Sequence, residues 1–438
     1  MLSPELRLTE GVVAQVTVDR HSQVETEPVP EPSRSWAAST FDAFQFRDYR
    51  TIWIGSFIAF LAVNISSVAQ GFVAYDLTGN NSAVGTVMLG QGVAMMFLNP
   101  FGGAVSDRFS KRLLILSSQF VIGGVAFSTA VLITTGHISI LFLAVGSFTM
   151  GSMFAILGPA RTALTGEVVS PERIGNAMAL MQVGNNFGRI AGPLLAGLLL
   201  IIAGTAGTYF IVAAMFIGVI AAYYHIPNGP PRRDRGDTSV FQDVRLGIGH
   251  VVENPRLKHS LISFYLVTML GMSNIVLMPG YALSTLDAGK SGLGILMGAG
   301  AAGGFVMSLL VASLADSRRS SVILTGAALC AGVGLILTGL APNLPVAVLT
   351  MVLVNGGTSV FQTLNNAAAL RITNPRFFGR IVSLMMVAWG MNNLVTLPIG
   401  IYGDIAGERA ALMTLGAALS VVVLLLALWE RRIAGREA

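Results

Sequence analysis

Between positions 103 and 112, two long apolar runs are separated by a loop holding Gly103, Asp107, Arg108, Lys111 and Arg112. An acid beside three cations can form ion pairs or face the positive start of another helix. The cations alone can also fix which side of a membrane the loop occupies. A weaker copy carries Asp316, Arg318 and Arg319, with Asp316 lying 209 residues after Asp107. At the same offset Ser82 matches Ser291, Gly85 matches Gly294 and Met88 matches Met297. The chain therefore reads as one unit duplicated, the plan of many secondary transporters.

A second set of residues has the spacing of a polar stripe inside an apolar helix. Gln182, Asn185, Asn186 and Arg189 recur at i, i+3, i+4 and i+7, beside a stripe of small residues at Gly184, Gly188 and Gly192. Arg189 lies fifteen residues beyond Ile174, roughly 20 Å along a helix. A guanidinium at that depth faces water, an acid or a substrate, or it bonds backbone carbonyls beside the Gly192-Pro193 turn. Asn355, Ser359, Gln362 and Asn366 repeat the pattern later, and Asn64, Gln91, Asn274, Asn392 and Asn393 add polar groups to other apolar runs. As a set they suit a central cavity between two repeats. Taken singly, each amide can equally join two helices.

These residues need spanning helices to hold them. Hydrophobic residues make up 53% of the chain and charged residues 11%, about half the charge of a soluble domain. Twelve apolar runs are expected near 49–75, 82–105, 113–135, 138–160, 174–203, 206–226, 257–283, 291–314, 321–341, 345–368, 378–403 and 409–429. Without water to bind, their amides require helices. A barrel is disfavoured because the runs lack period-two alternation. Of the 27 Lys and Arg residues, 24 fall in the tails and alternate loops, leaving Lys290, Arg409 and the intrahelical Arg189. The positive-inside rule then puts both termini in the cytoplasm, and the net charge of +5 reflects topology, not nucleic-acid binding.

The expected organisation is a disordered cytoplasmic tail over 1–40, a six-helix bundle over 41–226, a cytoplasmic linker over 227–256, a second bundle over 257–430 and a basic tail over 431–438. The single cysteine, Cys330, lies in an apolar run and rules out an intrachain disulfide. No Gly-x-x-x-x-Gly-Lys-Ser/Thr loop occurs, so uphill transport would draw on an ion gradient. The stretch Gly298-Ala-Gly300-Ala-Ala-Gly303 matches a dinucleotide fingerprint only literally. It lies inside a membrane run, where close helix packing explains it. The five histidines are scattered, and no metal site, cofactor site or enzymatic nucleophile is expected.

The 103–112 loop resembles the signature of the major facilitator superfamily, with Gly103, Asp107, Arg108, Lys111 and Arg112 in place and Ser110 where a glycine is usual. Further matches resemble the efflux branch that contains bacterial macrolide and enterobactin exporters: Phe46-Arg-Asp-Tyr-Arg50, Tyr75-Asp-Leu-Thr-Gly79, Gly158-Pro-Ala-Arg161 and Pro171-Glu-Arg-Ile-Gly-Asn176. Gly188, Gly192 and Pro193 resemble an antiporter motif on the fifth helix, although Ala196-Gly197 stands where that motif has two glycines.

The resemblance implies an all-α membrane protein of twelve helices in two pseudo-symmetric six-helix bundles. It implies a monomer in the cell inner membrane, exporting small amphiphilic molecules by alternating access with proton antiport. It also implies gating contacts from Asp107 to the start of the eleventh helix near Phe377–Arg380, with Asp316, Arg318 and Arg380 as further gate residues. A proton relay usually needs a buried acid. Asp76 is the leading candidate, with a capping role at the Asn80-Asn81 turn as its alternative. A cavity of amides, Met and aromatic groups with Arg189 nearby suits neutral or anionic cargo better than cations. The alternative function is an importer or facilitator of a small metabolite on the same fold. A non-transporting membrane sensor would be expected to carry a sizeable soluble domain.

Overall fold

Long apolar runs must satisfy their own amides, and among the described residues they do so as helices. The computed structural model describes residues 42–170, 173–226, 248–312, 320–374 and 377–437. The expected tail 1–40, the linker through residue 247, and Asp316 and Arg318 lie outside the described residues. Gly103, Asp107 and Arg380 belong to described helical backbone, but their side-chain surroundings lie outside the described part.

Twelve long helices follow in order: α1 Arg47–Thr78, α2 Asn81–Arg108, α3 Lys111–Thr134, α4 Ile140–Val168, α5 Ile174–Ile202, α6 Gly204–Tyr224, α7 Pro255–Met272, α8 Gly289–Ala312, α9 Ser320–Leu340, α10 Leu344–Arg371, α11 Phe378–Ala406 and α12 Glu408–Glu437. Eleven helical spans among the described residues are long and apolar enough to cross a membrane. The helices overrun several of the apolar runs. α4 continues past Pro159 to Val168, because hydropathy marks only the lipid-crossing part while hydrogen bonding continues into the polar loop. Gly79 ends α1 at φ 67°, a left-handed conformation that costs a glycine nothing.

Beyond Met272, α7 loses regular geometry. It passes through a 3-10 turn at Ser273–Leu277, a single α turn at Met278–Gly280 and a π turn at Tyr281–Thr285. Such irregular turns often mark functional positions in a helix.

Packing repeats between the first six helices and the last six. α2 lies on α4 as α8 lies on α10, α3 on α6 as α9 on α12, and α1 on α5 and α6 as α7 on α11 and α12. The two groups meet along two seams, α2 against α11 and α5 against α8. Polar anchors fix each group internally. Tyr49 Oη donates to the Ala177 carbonyl at 2.7 Å and Trp53 Nε1 to the Leu180 carbonyl at 2.9 Å, tying α1 to α5. Tyr265 Oη donates to the Leu384 carbonyl at 2.5 Å, tying α7 to α11 in the same way. The largest exposed apolar side chains, such as Phe120, Leu141 and Val322, lie on helix faces turned away from the core. That is the surface a bilayer would cover.

Candidate transport cavity and gates

The seams exist because glycine lets two helix backbones approach. A Cβ at Gly85 would lie 2.7 Å from Cα of Leu397 on α11, and one at Gly294 would lie 2.8 Å from the Pro193 carbonyl on α5. Gly85 and Gly294 are the repeat-matched pair of the sequence, so the duplication preserves the two positions where the groups touch. Further along the α2–α11 seam, Gly400 meets Asn81, Gly92 meets Asn393 and Gly390 meets Met96. From Asn81 to Met96 this contact covers roughly 22 Å of helix. Beyond it, toward the Arg- and Lys-rich loops, Phe97 and Phe101 of α2 and Val183 and Phe187 of α5 are exposed.

The glycines of the α5 motif divide between two neighbours. Cβ atoms at Gly184, Gly188 and Gly192 would face Trp53, Phe60 and Asn64 of α1, whereas one at Gly197 would lie 3.0 Å from Gly294 on α8. The motif thus packs α5 on its own group and, one turn past Pro193, on the other group. The Gly298–Gly303 stretch also serves packing. Gly298 receives Leu194 of α5, Gly300 receives Asn355 and Gly303 receives Val352 of α10.

The predicted cavity residues separate into two sets. Asn392 is buried and accepts from Ser273 Oγ at 2.9 Å, which links α11 to α7. Gln362 Nε2 reaches Met272 Sδ at 3.2 Å, linking α10 to α7. Asn355 and Asn64 donate to carbonyls one turn back in their own helices, at 3.1 and 2.8 Å. Asn274 is buried in the 3-10 turn after α7. Asn392 and Gln362 thus join helices within one group, and Asn355, Asn64 and Asn274 bond their own segments. The second set is less buried. Gln182 is exposed with Nε2 3.3 Å from Asn186 Oδ1, Asn185 and Gln91 are partly exposed, and Asn393 sits at the Gly92 approach.

Arg189 is exposed, and its guanidinium carbon lies 5.9 Å from the ring centre of Trp389 on α11. Since α5 and α11 belong to different seams, this contact spans the gap between the two groups. A row of rings, Phe44, Trp53, Phe57 and Phe187, links α1 to α5 with centroid separations of 5.2 to 5.9 Å. Sequence spacing found Arg189 but not Trp389, which lies on an apolar face with no polar pattern to mark it.

Lys111 and Arg112 are held within the first group. Lys111 Nζ forms an ion pair with Glu167 at the end of α4 and is largely buried. Arg112 donates to the Tyr224 carbonyl at the end of α6, with its guanidinium 5.3 Å from the Tyr224 ring centre. Arg108 is exposed. Arg161 is buried in α4 above the Phe60 ring, 4.8 Å from its centre. Asp76 is exposed on the last turn of α1.

Twelve long helices among the described residues, in two groups of six with matching contacts that meet along two glycine-lined seams, define a duplicated membrane transporter bundle. The Major Facilitator Superfamily model matches residues 52–395, and the chain belongs to that family. Over 396 residues it is 24% identical to the Enterobactin exporter EntS of Escherichia coli O1:K1 / APEC, covering 88% of this chain and 92% of the relative. It is 28% identical over 147 residues to the Multidrug resistance protein B homolog of Mycobacterium tuberculosis (strain ATCC 25618 / H37Rv), spanning 26% of that relative's length. Among solved structures, it superposes on a POT family transporter in complex with 5-aminolevulinic acid with TM-score 0.72 at 14% identity, covering 88% of this chain and 96% of that one. It superposes on the nucleoside transporter NupG with TM-score 0.71 at 12% identity, covering 87% and 99%. At those identities the likeness is one of fold. The chain is a multi-pass membrane transporter.

Proposed function

We propose that this protein exports small amphiphilic molecules, drug-like or siderophore-like, across the bacterial inner membrane by alternating access with proton antiport. The Arg- and Lys-rich loops then face the cytoplasm together with both termini. The cavity bordered by Gln91, Gln182, Asn185, Asn186, Arg189 and Asn393 is the cargo site. The observation that carries the reading is the Arg189–Trp389 contact, which joins the two groups across the space between their seams. Export as the direction rests on the similarity to the Enterobactin exporter EntS along 88% of the chain. The exposed Phe97, Phe101, Val183 and Phe187 on the basic side fit an inward-facing form that admits cargo from the cytoplasm.

Asp107 is proposed as the cytoplasmic gate and Asp76 as the coupling acid. The test is uptake of candidate compounds into inside-out vesicles under an imposed pH gradient, repeated with Asp107→Asn, Asp76→Asn and Arg189→Gln. Export predicts gradient-driven accumulation that collapses with Asp107→Asn. Equal counterflow in the absence of any gradient dependence would favour a facilitator.

A further inference from the structure

The start of α2 is capped by the other half of the molecule. A helix start leaves its first amides without intrahelical partners, and an asparagine just before it is among the best residues to satisfy them. Asn80 occupies that place in extended backbone (φ −120°, ψ 135°), yet its side chain makes no capping bond. Instead Asp404, near the end of α11, accepts from the backbone N–H of Asn81 at 2.5 Å and of Ser82 at 2.9 Å, one with each carboxylate oxygen. Glu408, at the start of α12, accepts from Asn81 Nδ2 at 2.9 Å and from Thr285 Oγ1 at 3.0 Å. Gly280 makes room for this cluster, since a Cβ there would lie 2.5 Å from Glu408 Oε1 and 2.6 Å from Asn81 Oδ1. Asn81 is 1% exposed, and its Oδ1 has no hydrogen-bond partner.

We propose that the start of α2 is a cap-exchange switch: Asp404 caps it while this end of the α2–α11 seam is shut, and Asn80 takes over when the seam opens. Opening withdraws Asp404 and strips the first amides of α2 of their acceptor. Asn80 is exposed and already in N-cap geometry, so its side chain can bond the freed Ser82 amide, the second of the helix, without moving the backbone. The exchange favours opening, because the Ser82 amide keeps a protein acceptor and only the Asn81 amide turns to water. The unpartnered Asn81 oxygen works in the same direction, since it is a defect of the shut form that opening to water removes.

The switch gates the seam and does not carry the coupled proton. Protonating Asp404 would weaken the shut form, whereas proton antiport requires the proton-loaded carrier to close this end. The assignment of this end to the outer face rests on the proposed orientation. The capping itself does not.

Pulsed electron-electron resonance distances test the switch in the full-length protein without any cargo. Spin labels go on His137→Cys and Pro342→Cys, exposed positions on this side of opposite groups, with Cys330→Ser removing the native thiol. Asp404→Asn is expected to raise the long-distance fraction about tenfold, the loss of one charge-assisted contact. Glu408→Gln is expected to shift it in the same direction. Asn80→Ala placed on Asp404→Asn is expected to return the fraction toward the parent about fivefold, the effect of losing one helix cap. Asp287→Asn, which removes an exposed loop acid on the same side, is the charge control and should not move the distances. Unchanged distances in Asp404→Asn and Glu408→Gln, or further opening on adding Asn80→Ala, overturn the proposal. Altered distances in a protein that moves none of the candidate cargo would leave the switch standing and remove the export reading instead.

Discussion

Tyr75 and Ser284 are separated by 209 residues, the offset of the internal repeat, and their hydroxyls hydrogen bond to each other at 2.7 Å. Repeat-equivalent residues can touch only where the axis relating the two halves passes between them. The axis therefore emerges at the shut end of the bundle, beside the π turn of α7 and the Asn81–Asp404 contact. That axis relates the halves and is not the one about which they rock, so this end parts as the halves tilt and the Tyr75–Ser284 bond is one of the contacts that opening must break.

Tyr75→Phe and Ser284→Ala should each destabilise the shut form by about 1 kcal/mol, the net contribution of one hydrogen bond. The double variant should cost little more than either single one, because both remove the same bond. Thermal stability in detergent and the spin-label distances read this directly. Fully additive costs would mean that the two hydroxyls act through different partners.

The two seams should respond alike to loss of their repeat-matched glycines. Gly85→Leu meets the backbone of Leu397 and Gly294→Leu meets the backbone of Pro193 and Gly197. Backbone cannot step aside as a side-chain tip can, so overpacking should cost about 1–3 kcal/mol or force the seam apart. Both variants should insert and remain folded by size-exclusion chromatography while losing transport. Gly124→Leu, where no atom lies within 4 Å of the added Cβ, should keep it. Normal transport in either seam variant would show that the seam accommodates bulk.

How far the sequence reached depended on whether a residue's job was periodic. Twelve helices were legible because lipid forbids unpaired amides along any long apolar run. The duplication was legible from Gly85 and Gly294, whose contact role appears only in three dimensions. Arg189 stood out as a charge among apolar residues, but Trp389 did not, since an aromatic in a membrane helix is unremarkable until its neighbour is known. Asn392 and Gln362 were chosen by the same polarity rule and turn out to join helices within one group. Polarity inside an apolar run marks a need for a partner, and it does not say whether that partner is cargo or protein. Nothing in the sequence marks Asp404 as a cap, because its partner Asn81 lies 323 positions away in the other half and leaves no local spacing to detect.

Lys111 and Glu167 should behave as one unit of the first group. The pair is mostly buried, with side-chain exposures of 8% and 24%, so removing either partner leaves a charge poorly solvated. Lys111→Gln and Glu167→Gln should each lower stability by about 2 kcal/mol, and the double variant should recover part of that loss. Thermal unfolding of the three purified variants checks this. If Lys111→Gln kept stability and changed only the inward-to-outward equilibrium, the lysine would belong to the gate between halves instead.

Arg189 should select cargo by charge, with Trp389 as its resting partner. The guanidinium faces an aromatic ring, not a carboxylate. A ring face contributes about 0.5–2 kcal/mol to holding a cation and leaves its charge unneutralised. An anionic cargo can therefore displace the ring and gain a charge-assisted contact, which a neutral cargo cannot do. Arg189→Gln should raise KM for anionic amphiphiles about tenfold and leave neutral macrolide-like compounds nearly unchanged, given that a charged hydrogen bond contributes about 1.5–3 kcal/mol. Trp389→Leu should act in the opposite sense on anions, lowering KM because the resting competitor is gone. Arg189→Lys separates the two effects: the charge remains, but the planar stack on the indole is lost. Competition transport with one anionic and one neutral compound reads all three variants. Equal losses for both compounds in Arg189→Gln would make the arginine a structural strut between α5 and α11.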